Sequence, residues 1–457
     1  MKLNNILIWK NTHLFYRNYS NRNILRLKER GMFQDIFPDT AANSVTDLMN
    51  AMPQTVYAGF DPTADSLHVG NLLILINLLH WQRSGHETIA LIGGATAKIG
   101  DPSGRNTERK ELAHDYISTN VHGIHKNIQT IFENHKQYLW TGKNELKPLR
   151  IVNNDDWYSK ISAIELIGKV GRHLRMGTLL SRHSVQSRLN STYGMSFTEF
   201  SYQLFQAYDW LHLFKHYQCA FQIGGNDQMG NIMSGHELIS KTLDKPVYGL
   251  TIPLVTTEIG DKFGKSAGNA VWLSPEKTSA FTLYQFWMRQ ADSEVEKYLR
   301  LFTFDSVNYI ADLMRKHKEK PELRLAQKRL AEQVTLLVHG EEGLRRAQNV
   351  TDVLYKGNLK TLSELEPADI VQIFEGATLV EILPQAGQTI LELSMKIGGF
   401  SRVEDAVRII SAGGFYVNQQ KVQNPNEVVN ANAHILKNNT SVIRVGKKSY
   451  YIVKWLV

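Results

Sequence analysis

The 457-residue chain is expected to fold as an α/β protein, a parallel sheet with helices on both faces, followed by a helical region and a small α+β module. Three observations lead there. Short apolar runs of strand length alternate with helix-length segments up to about Pro253. Three of the runs close on glycine or on Asp-Pro. After Pro275 strand signals give way to helical spacing, and a compact mixed pattern resumes at Thr389.

Thr55–Phe60 reads as a buried strand ended by Asp61-Pro62. His68 to Trp81 has helical spacing, with Leu72, Leu73, Leu75, Ile76, Leu78 and Leu79 apolar. Glu87–Ile92 is a second strand, closed by Gly93-Gly94, and Leu149–Asn153 a third. Ala220–Ile223 is followed by Gly224-Gly225 and a helix from Asp227. In such sheets ligands lie beyond the carboxyl ends of the strands, so these glycines mark the expected site. Ser279–Arg346 is helix-rich, with Pro321 starting or breaking a helix, and Thr351–Pro384 reads as a connector. In the tail, two amphipathic helices around Met395 and Ala406 precede short strands near Val442–Val445 and Tyr450–Val453.

Composition narrows the classes. Hydrophobic residues at 42% and charged ones at 21% fit a soluble globular protein, and the length requires more than one domain. One cysteine, Cys219, excludes an internal disulfide and points to a reducing compartment. No apolar run approaches the ~18 residues of a membrane span, so no membrane association is expected. The net charge of +8 is uneven: residues 1–30 hold seven Lys/Arg against Glu29, and 385–457 hold nine against four acids. The body between is therefore about −3. The basic, acid-poor, amphipathic leader has the pattern of a mitochondrial transit peptide, the alternative being a basic arm that binds RNA. The basic tail is the expected nucleic-acid grip.

Two motifs carry the chemistry. The first is Tyr57-Ala-Gly-Phe-Asp61-Pro-Thr63-Ala-Asp-Ser-Leu-His68-Val-Gly70-Asn71; the second is Lys262-Phe-Gly-Lys265-Ser266. A helix N-terminus offers free N–H groups and partial positive charge to a phosphate. Gly70 lets a nucleotide lie on the backbone, while His68 and Asn71 offer donors. Alone, His-x-Gly-Asn is no more than a capped helix, and Lys-x-x-Lys no more than surface charge; the long flanking sequence changes both readings. Tyr202, Gln206 and Asp209 fall at i, i+4 and i+7, on one helix face among Phe200, Leu204, Phe205 and Trp210, so the polar stripe is expected to line a cavity. There is no G-x-G-x-x-G after the first strand, which disfavours a nicotinamide dehydrogenase. No His/Cys/Asp cluster has metal-site spacing, so no protein-held metal is expected.

With Gly93-Gly-Ala-Thr-Ala-Lys-Ile-Gly-Asp101-Pro-Ser-Gly-Arg105, Thr198-Glu-Phe-Ser-Tyr202 through Asp209, and Gln222-Ile-Gly-Gly-Asn-Asp227-Gln228-Met-Gly-Asn, the chain from about Gly31 onward resembles the tyrosyl-tRNA synthetases of class I, most of all their mitochondrial branch. His68–Asn71 stands where the family has HIGH, and Lys262–Ser266 where it has KMSKS. Asn71 departs from the second histidine but keeps a side-chain N–H; tryptophanyl enzymes often carry Asn there too. Phe263-Gly264 replaces Met-Ser. The resemblance implies a Rossmann-like catalytic domain at 31–274, a helical anticodon-side domain and connector at 275–384, and an S-four-like RNA-binding domain at 385–457, behind a leader at 1–30.

It also implies residue roles. Tyr57 and Asp209 would bind the tyrosine phenol. Tyr202, Gln206 and Asp101 would hold its α-ammonium, with Gln222 adding a polar contact. Gly59, Asp61, Gly70, Asn71, Asp227, Gln228, Val255 and Ser266 would bind ATP, which arrives with Mg2+. Thr63, His68, Lys262 and Lys265 would stabilise the transferring phosphate, the two lysines on a loop that closes on ATP. In the tail, Ser394-Met-Lys396-Ile-Gly-Gly-Phe-Ser-Arg402 and Gly413-Gly-Phe-Tyr-Val-Asn418-Gln-Gln-Lys421 make Lys396, Arg402, Arg408, Lys421, Lys447 and Lys448 the candidates for tRNA phosphate contacts. A homodimer in the mitochondrial matrix is implied by family analogy. Tryptophan specificity, and an RNA-binding or splicing protein that has lost catalysis, are the rival readings; Tyr57, Asp209 and the tail module oppose the first, the complete residue set the second.

Overall fold

In a computed structural model the chain is described over residues 22–105, 107–109, 111–255, 265–266, 269–356, 378–446 and 449–456. Residues 1–21 of the expected leader, Lys262, residues 357–377 of the expected connector, Lys447 and Lys448 lie outside them. The chain forms two compact units, Glu341 onward with Ala280–Thr282 making the second.

The first unit is built on a six-stranded sheet of order β1-β6-β5-β2-β3-β4. Its strands are β1 (Ile36–Phe37), β2 (Thr55–Phe60), β3 (Glu87–Ile92), β4 (Arg150–Asn153), β5 (Cys219–Gly225) and β6 (Tyr248–Ile252). All neighbours are parallel except β1, which runs antiparallel to β6. Between them lie α1 (Ala42–Ala51), α2 (Val69–Arg83), α3 (His114–Asn134), α4 (His183–Leu189), α5 (Phe197–Tyr217) and α6 (Met229–Leu243). A parallel sheet buried on both faces requires near-continuous apolar strands, and β2, β3, β5 and β6 have them. The dense apolar α2 is buried along most of its length. Gly235 of α6 faces the Trp210 ring of α5, where a Cβ would sit 2.6 Å from Cε3; the glycine lets the two helices close up. β1 and β6 escape the sequence reading because one is only two residues long and the other lacks a closing glycine.

A two-stranded ribbon, β7 (Lys265–Ser266) with β8 (Asn269–Ala270), precedes α7 (Ala280–Met288), α8 (Val295–Phe302), α9 (Val307–Glu319) and α10 (Leu325–Lys356). Pro321 opens a short 3₁₀ turn, and Gly340 at φ +70° interrupts α10.

The expected leader, 1–30, extends too far. Its described end is a 3₁₀ turn, Ile24–Arg30, with Ile24 and Leu27 in the core. Asn23 caps the turn, and Arg22 O lies 2.7 Å from His86 Nε2. Arg30 is buried: Nε donates to Arg300 O at 2.8 Å, Nη2 to Thr303 O at 2.6 Å, and Nη1 to Asp305 O. This guanidinium satisfies carbonyls at and just beyond the end of α8 that no helical N–H can reach. Counting charge could not separate this structural arginine from the basic residues before it.

In the second unit the expected tail pattern appears as α11 (Ile390–Lys396), α12 (Val403–Ser411) and a five-stranded sheet of order β11-β10-β12-β13-β9. The strands are β9 (Thr378–Ile382), β10 (Phe415–Val417), β11 (Gln420–Val422), β12 (Thr440–Val445) and β13 (Ser449–Trp455). β9, read from sequence as connector, pairs parallel with β13, Ile382 opposite Trp455. A boundary at residue 384 therefore cuts this strand from its own sheet.

Candidate active site

A cavity of about 640 Å³ opens at the carboxyl ends of β2, β3, β5 and β6. Strand order reverses between β2 and its neighbour β5, which leaves a crevice there. Tyr57, Gly59, Asp61, Thr63, His68, Gly70 and Asn71 line it from β2 and the start of α2. Asp101, Tyr202, Gln206, Asp209 and Gln222 line it from the opposite side, with Asp227, Gln228 and Val255. Lys262 lies outside the described residues; Lys265 and Ser266 form β7, where the main chain alone is described.

At one end is a buried polar floor. Asp209 receives Trp157 Nε1 at 2.9 Å on Oδ1 and Asn154 Nδ2 at 3.1 Å on Oδ2. Burial pushes its carboxyl up to about 7, against the pull of these donors. Tyr57 is buried too, and burial together with Asp209 holds its phenol well above the usual value. Among the described residues neither the Tyr57 hydroxyl nor Gln222 Oε1 has a hydrogen-bond partner. Buried polar atoms without partners beside a cavity are suited to a ligand that carries a hydroxyl.

The middle of the cavity joins groups that sequence had assigned to different substrates. Tyr202 donates to Asp61 Oδ2 at 2.9 Å, and Thr96 to Oδ1 at 2.8 Å. Burial, with Asp101 nearby, raises the Asp61 carboxyl to about 6. A Cβ on Gly93 would lie 2.1 Å from Asp61 Oδ1, so only glycine admits the carboxylate here. Gln228, expected to bind ATP, donates to Asp101 Oδ2 at 2.7 Å and so touches the set expected to hold the ammonium.

At the other end, His68 caps α2. Its Nδ1 accepts from Gly70 N at 3.0 Å, and its own N–H donates to Asn71 Oδ1 at 3.1 Å. A ring nitrogen that accepts leaves Nε2 carrying the proton. Asn71 spends its oxygen on the cap and keeps its amide nitrogen as donor. Gly59 has open space where a Cβ would stand, leaving the strand's main chain accessible. Arg105 and Arg109 also line the cavity and supply the positive charge among its described residues.

The model of the class I tRNA synthetases, W and Y, matches residues 49–356. The chain belongs to that family. This synthetase is 58% identical over 444 residues to the mitochondrial tyrosine–tRNA ligase of Drosophila melanogaster, covering 96% of each chain. It is 46% identical over 434 residues to that of Homo sapiens, covering 94% of this chain and 91% of the relative. A C-terminally truncated mitochondrial tyrosyl-tRNA synthetase of Aspergillus nidulans superposes with TM-score 0.67 at 32% identity, over 73% of this chain and 94% of that one.

The synthetase site includes residues that the sequence reading passed over: Thr96, Asn154, Trp157, Asn231, Arg105 and Arg109. Thr96, Arg105 and Asn231 stand inside quoted motifs, so their signal was available. Asn154 and Trp157 follow β4, more than 50 positions from Asp209, and nothing local announces them. In the second unit Lys396, Arg402, Arg408 and Lys421 are exposed. Lys396 donates to Gln385 at 2.6 Å, and Arg408 pairs with Asp405 at 2.8 Å. Arg444 stacks 3.9 Å above the Tyr416 ring centroid.

Proposed function

We propose that this synthetase activates L-tyrosine with ATP and transfers it to tRNA(Tyr) in mitochondrial translation. One observation carries the choice of tyrosine: the buried Asp209 carboxylate beside the unpartnered Tyr57 hydroxyl, at the closed end of the cavity. A phenol satisfies both. A phenylalanine ring would leave the Tyr57 hydroxyl without a partner, a penalty of about 1–3 kcal/mol, and would deny Asp209 a further donor beside Trp157 and Asn154.

In the proposed reaction Tyr57, Asp209 and Gln222 bind the phenol end. Asp101, Tyr202 and Gln206 hold the α-ammonium. The ionised tyrosine carboxylate then attacks the α-phosphorus in line, pyrophosphate leaves, and no general base is needed. Gly59, Gly70, Asn71, Asp61, Asp227, Gln228, Val255 and Ser266 position ATP. Thr63, His68, Lys262 and Lys265 stabilise the charge that grows on the phosphoryl oxygens, and Arg105 and Arg109 add to it. Magnesium accompanies ATP as part of the substrate and neutralises its phosphates.

The proposal extends to organisation. The chain from about Arg22 to residue 274 is the catalytic domain, the helical stretch that follows serves the anticodon side, and the module that begins with β9 at Thr378 grips tRNA through Lys396, Arg402, Arg408, Lys421, Lys447 and Lys448. The compartment is the matrix. A homodimer accounts for the apolar side chains exposed between Ile164 and Phe197, including Ile167, Met176 and Tyr193.

ATP–pyrophosphate exchange with each of the twenty amino acids tests the reading; stimulation by tyrosine is expected, and by tryptophan instead would defeat it. Lys265→Ala should slow adenylate formation more than it weakens tyrosine binding. A chain ending after Pro384 should fail in tRNA charging.

A further inference from the structure

Asn231, the third residue of α6, is buried and does not line the cavity, yet its amide sits at the centre of the polar groups that do. Nδ2 lies 3.0 Å from Gln206 Oε1 and 3.2 Å from Gln228 Oε1, with Ser103 Oγ at 3.4 Å and Asp101 Oδ1 at 3.5 Å. A primary amide has two hydrogens, so the two closest oxygens take them.

The polarity of this network is forced from one end. An ionised Asp101 can only accept. It takes the Ser103 N–H at 2.9 Å and Gln228 Nε2 at 2.7 Å. With its NH2 committed there, Gln228 turns Oε1 toward Asn231. That oxygen requires a donor, and Asn231 supplies one hydrogen. The other hydrogen goes to Gln206, which must therefore present Oε1 rather than its NH2 at this point. A free glutamine side chain can rotate its amide by half a turn and exchange acceptor for donor; this one cannot without breaking a buried bond.

We propose that Asn231 is a positioning residue for the amino-acid substrate, acting through Gln206. By fixing Gln206 Oε1 as an acceptor it leaves that oxygen's second lone pair for a cationic donor, beside the Asp101 carboxylate. Without Asn231, Gln206 can turn its NH2 toward the same point, where it repels an ammonium. The inference rests on the reading of the cavity as a tyrosine site and adds to it the residue that sets its acceptor character.

The test compares L-tyrosine with 3-(4-hydroxyphenyl)propanoate, the same molecule without its α-ammonium, by calorimetry on the full-length chain. Asn231→Ala, which suits a helix, should weaken tyrosine about 10-fold and the propanoate less than about twofold, the scale of one charge-assisted hydrogen bond. Asn231→Asp, as a carboxylate, offers only acceptors, so it draws the Gln206 NH2 toward itself and should weaken tyrosine with the same selectivity. KM for tyrosine should rise while KM for ATP holds, and melting temperatures establish that each variant is folded. Equal loss of the two ligands, or no loss of either, overturns the role of Asn231 and leaves the tyrosine reading intact. Wild type that fails to bind tyrosine defeats the reading itself.

Discussion

The Trp157 indole donates to Asp209 Oδ1 across 2.9 Å, from a ring that stacks on His212 with centroids 4.3 Å apart and an angle of 16°. The carboxylate at the closed end of the cavity is thus held from behind by a side chain whose own orientation is fixed by packing. Trp157→Phe keeps a ring on His212 and removes the donor. A hydrogen bond to a charged group contributes about 1.5–3 kcal/mol, so kcat/KM for tyrosine should fall about 10- to 100-fold. KM for ATP should stay within about twofold, as read by pyrophosphate-exchange kinetics.

Asp209 also sets a pH dependence. Its carboxyl, ordinarily at 3.8, is raised to about 7 by burial. It holds its proton more tightly folded than unfolded. Its contribution to stability is therefore full below the ordinary value and is lost as pH rises through about 7. The melting temperature of the ligand-free protein should carry that downward trend. Tyrosine binding should run the other way, because the phenol donates to the ionised form. Affinity measured calorimetrically should strengthen as pH rises through about 7, and Asp209→Asn should flatten the curve.

Gly93→Ala tests the closeness of Asp61. The new methyl would stand 2.1 Å from Oδ1 and 2.3 Å from Thr96 Oγ1, so the carboxylate must move off its Thr96 bond and strain the one that Tyr202 makes to Oδ2. Overpacking of this kind costs about 1–3 kcal/mol. A lowered melting temperature with loss of pyrophosphate exchange is expected; unchanged activity would mean that the Asp61–Tyr202 contact is dispensable.

Deletion of residues 1–21 and of residues 1–30 should differ sharply. The first leaves Ile24, Leu27 and Arg30 in place, and tyrosine activation should persist. The second strips core side chains and leaves the carbonyls of Arg300 and Thr303 without their guanidinium. Arg30→Ala alone should cost about 1–3 kcal/mol in urea unfolding.

Ile164→Glu combined with Ile167→Glu should shift sedimentation toward the monomer. Ile164 is 85% exposed in the single chain, and charge at a buried interface is strongly disfavoured. A species unchanged in mass would remove this stretch from the contact.

Much of the site was legible because its residues recur at intervals that one element enforces. Tyr202, Gln206 and Asp209 share a face of α5, and all three reach the cavity. The strand ends at Phe60, Ile92 and Gly225 were marked by the residues that let the chain turn there. What escaped depends on contacts between distant segments. Trp157 meets Asp209 only because the chain after β4 returns across α5. Arg30 looks like its basic neighbours until α8 supplies carbonyls for it. β9 has no strand pattern of its own and becomes one by pairing with β13. Gln228 sits beside Asp227 in sequence, yet its amide joins Asp101, because neighbours at the start of a helix point in different directions.

Tyr57 and Gly59 occupy the same side of β2, two residues apart, and face the two ends of the cavity. Successive same-side residues on a strand are separated by about 6.6 Å of covalent chain. The spacing between the phenol end and the nucleotide end is therefore a bonded length, which thermal loosening of the surrounding helices cannot stretch. Any variant that bulges or shortens this central strand would detune both substrates at once, whereas changes in α5 or α6 can adjust one and leave the other in place.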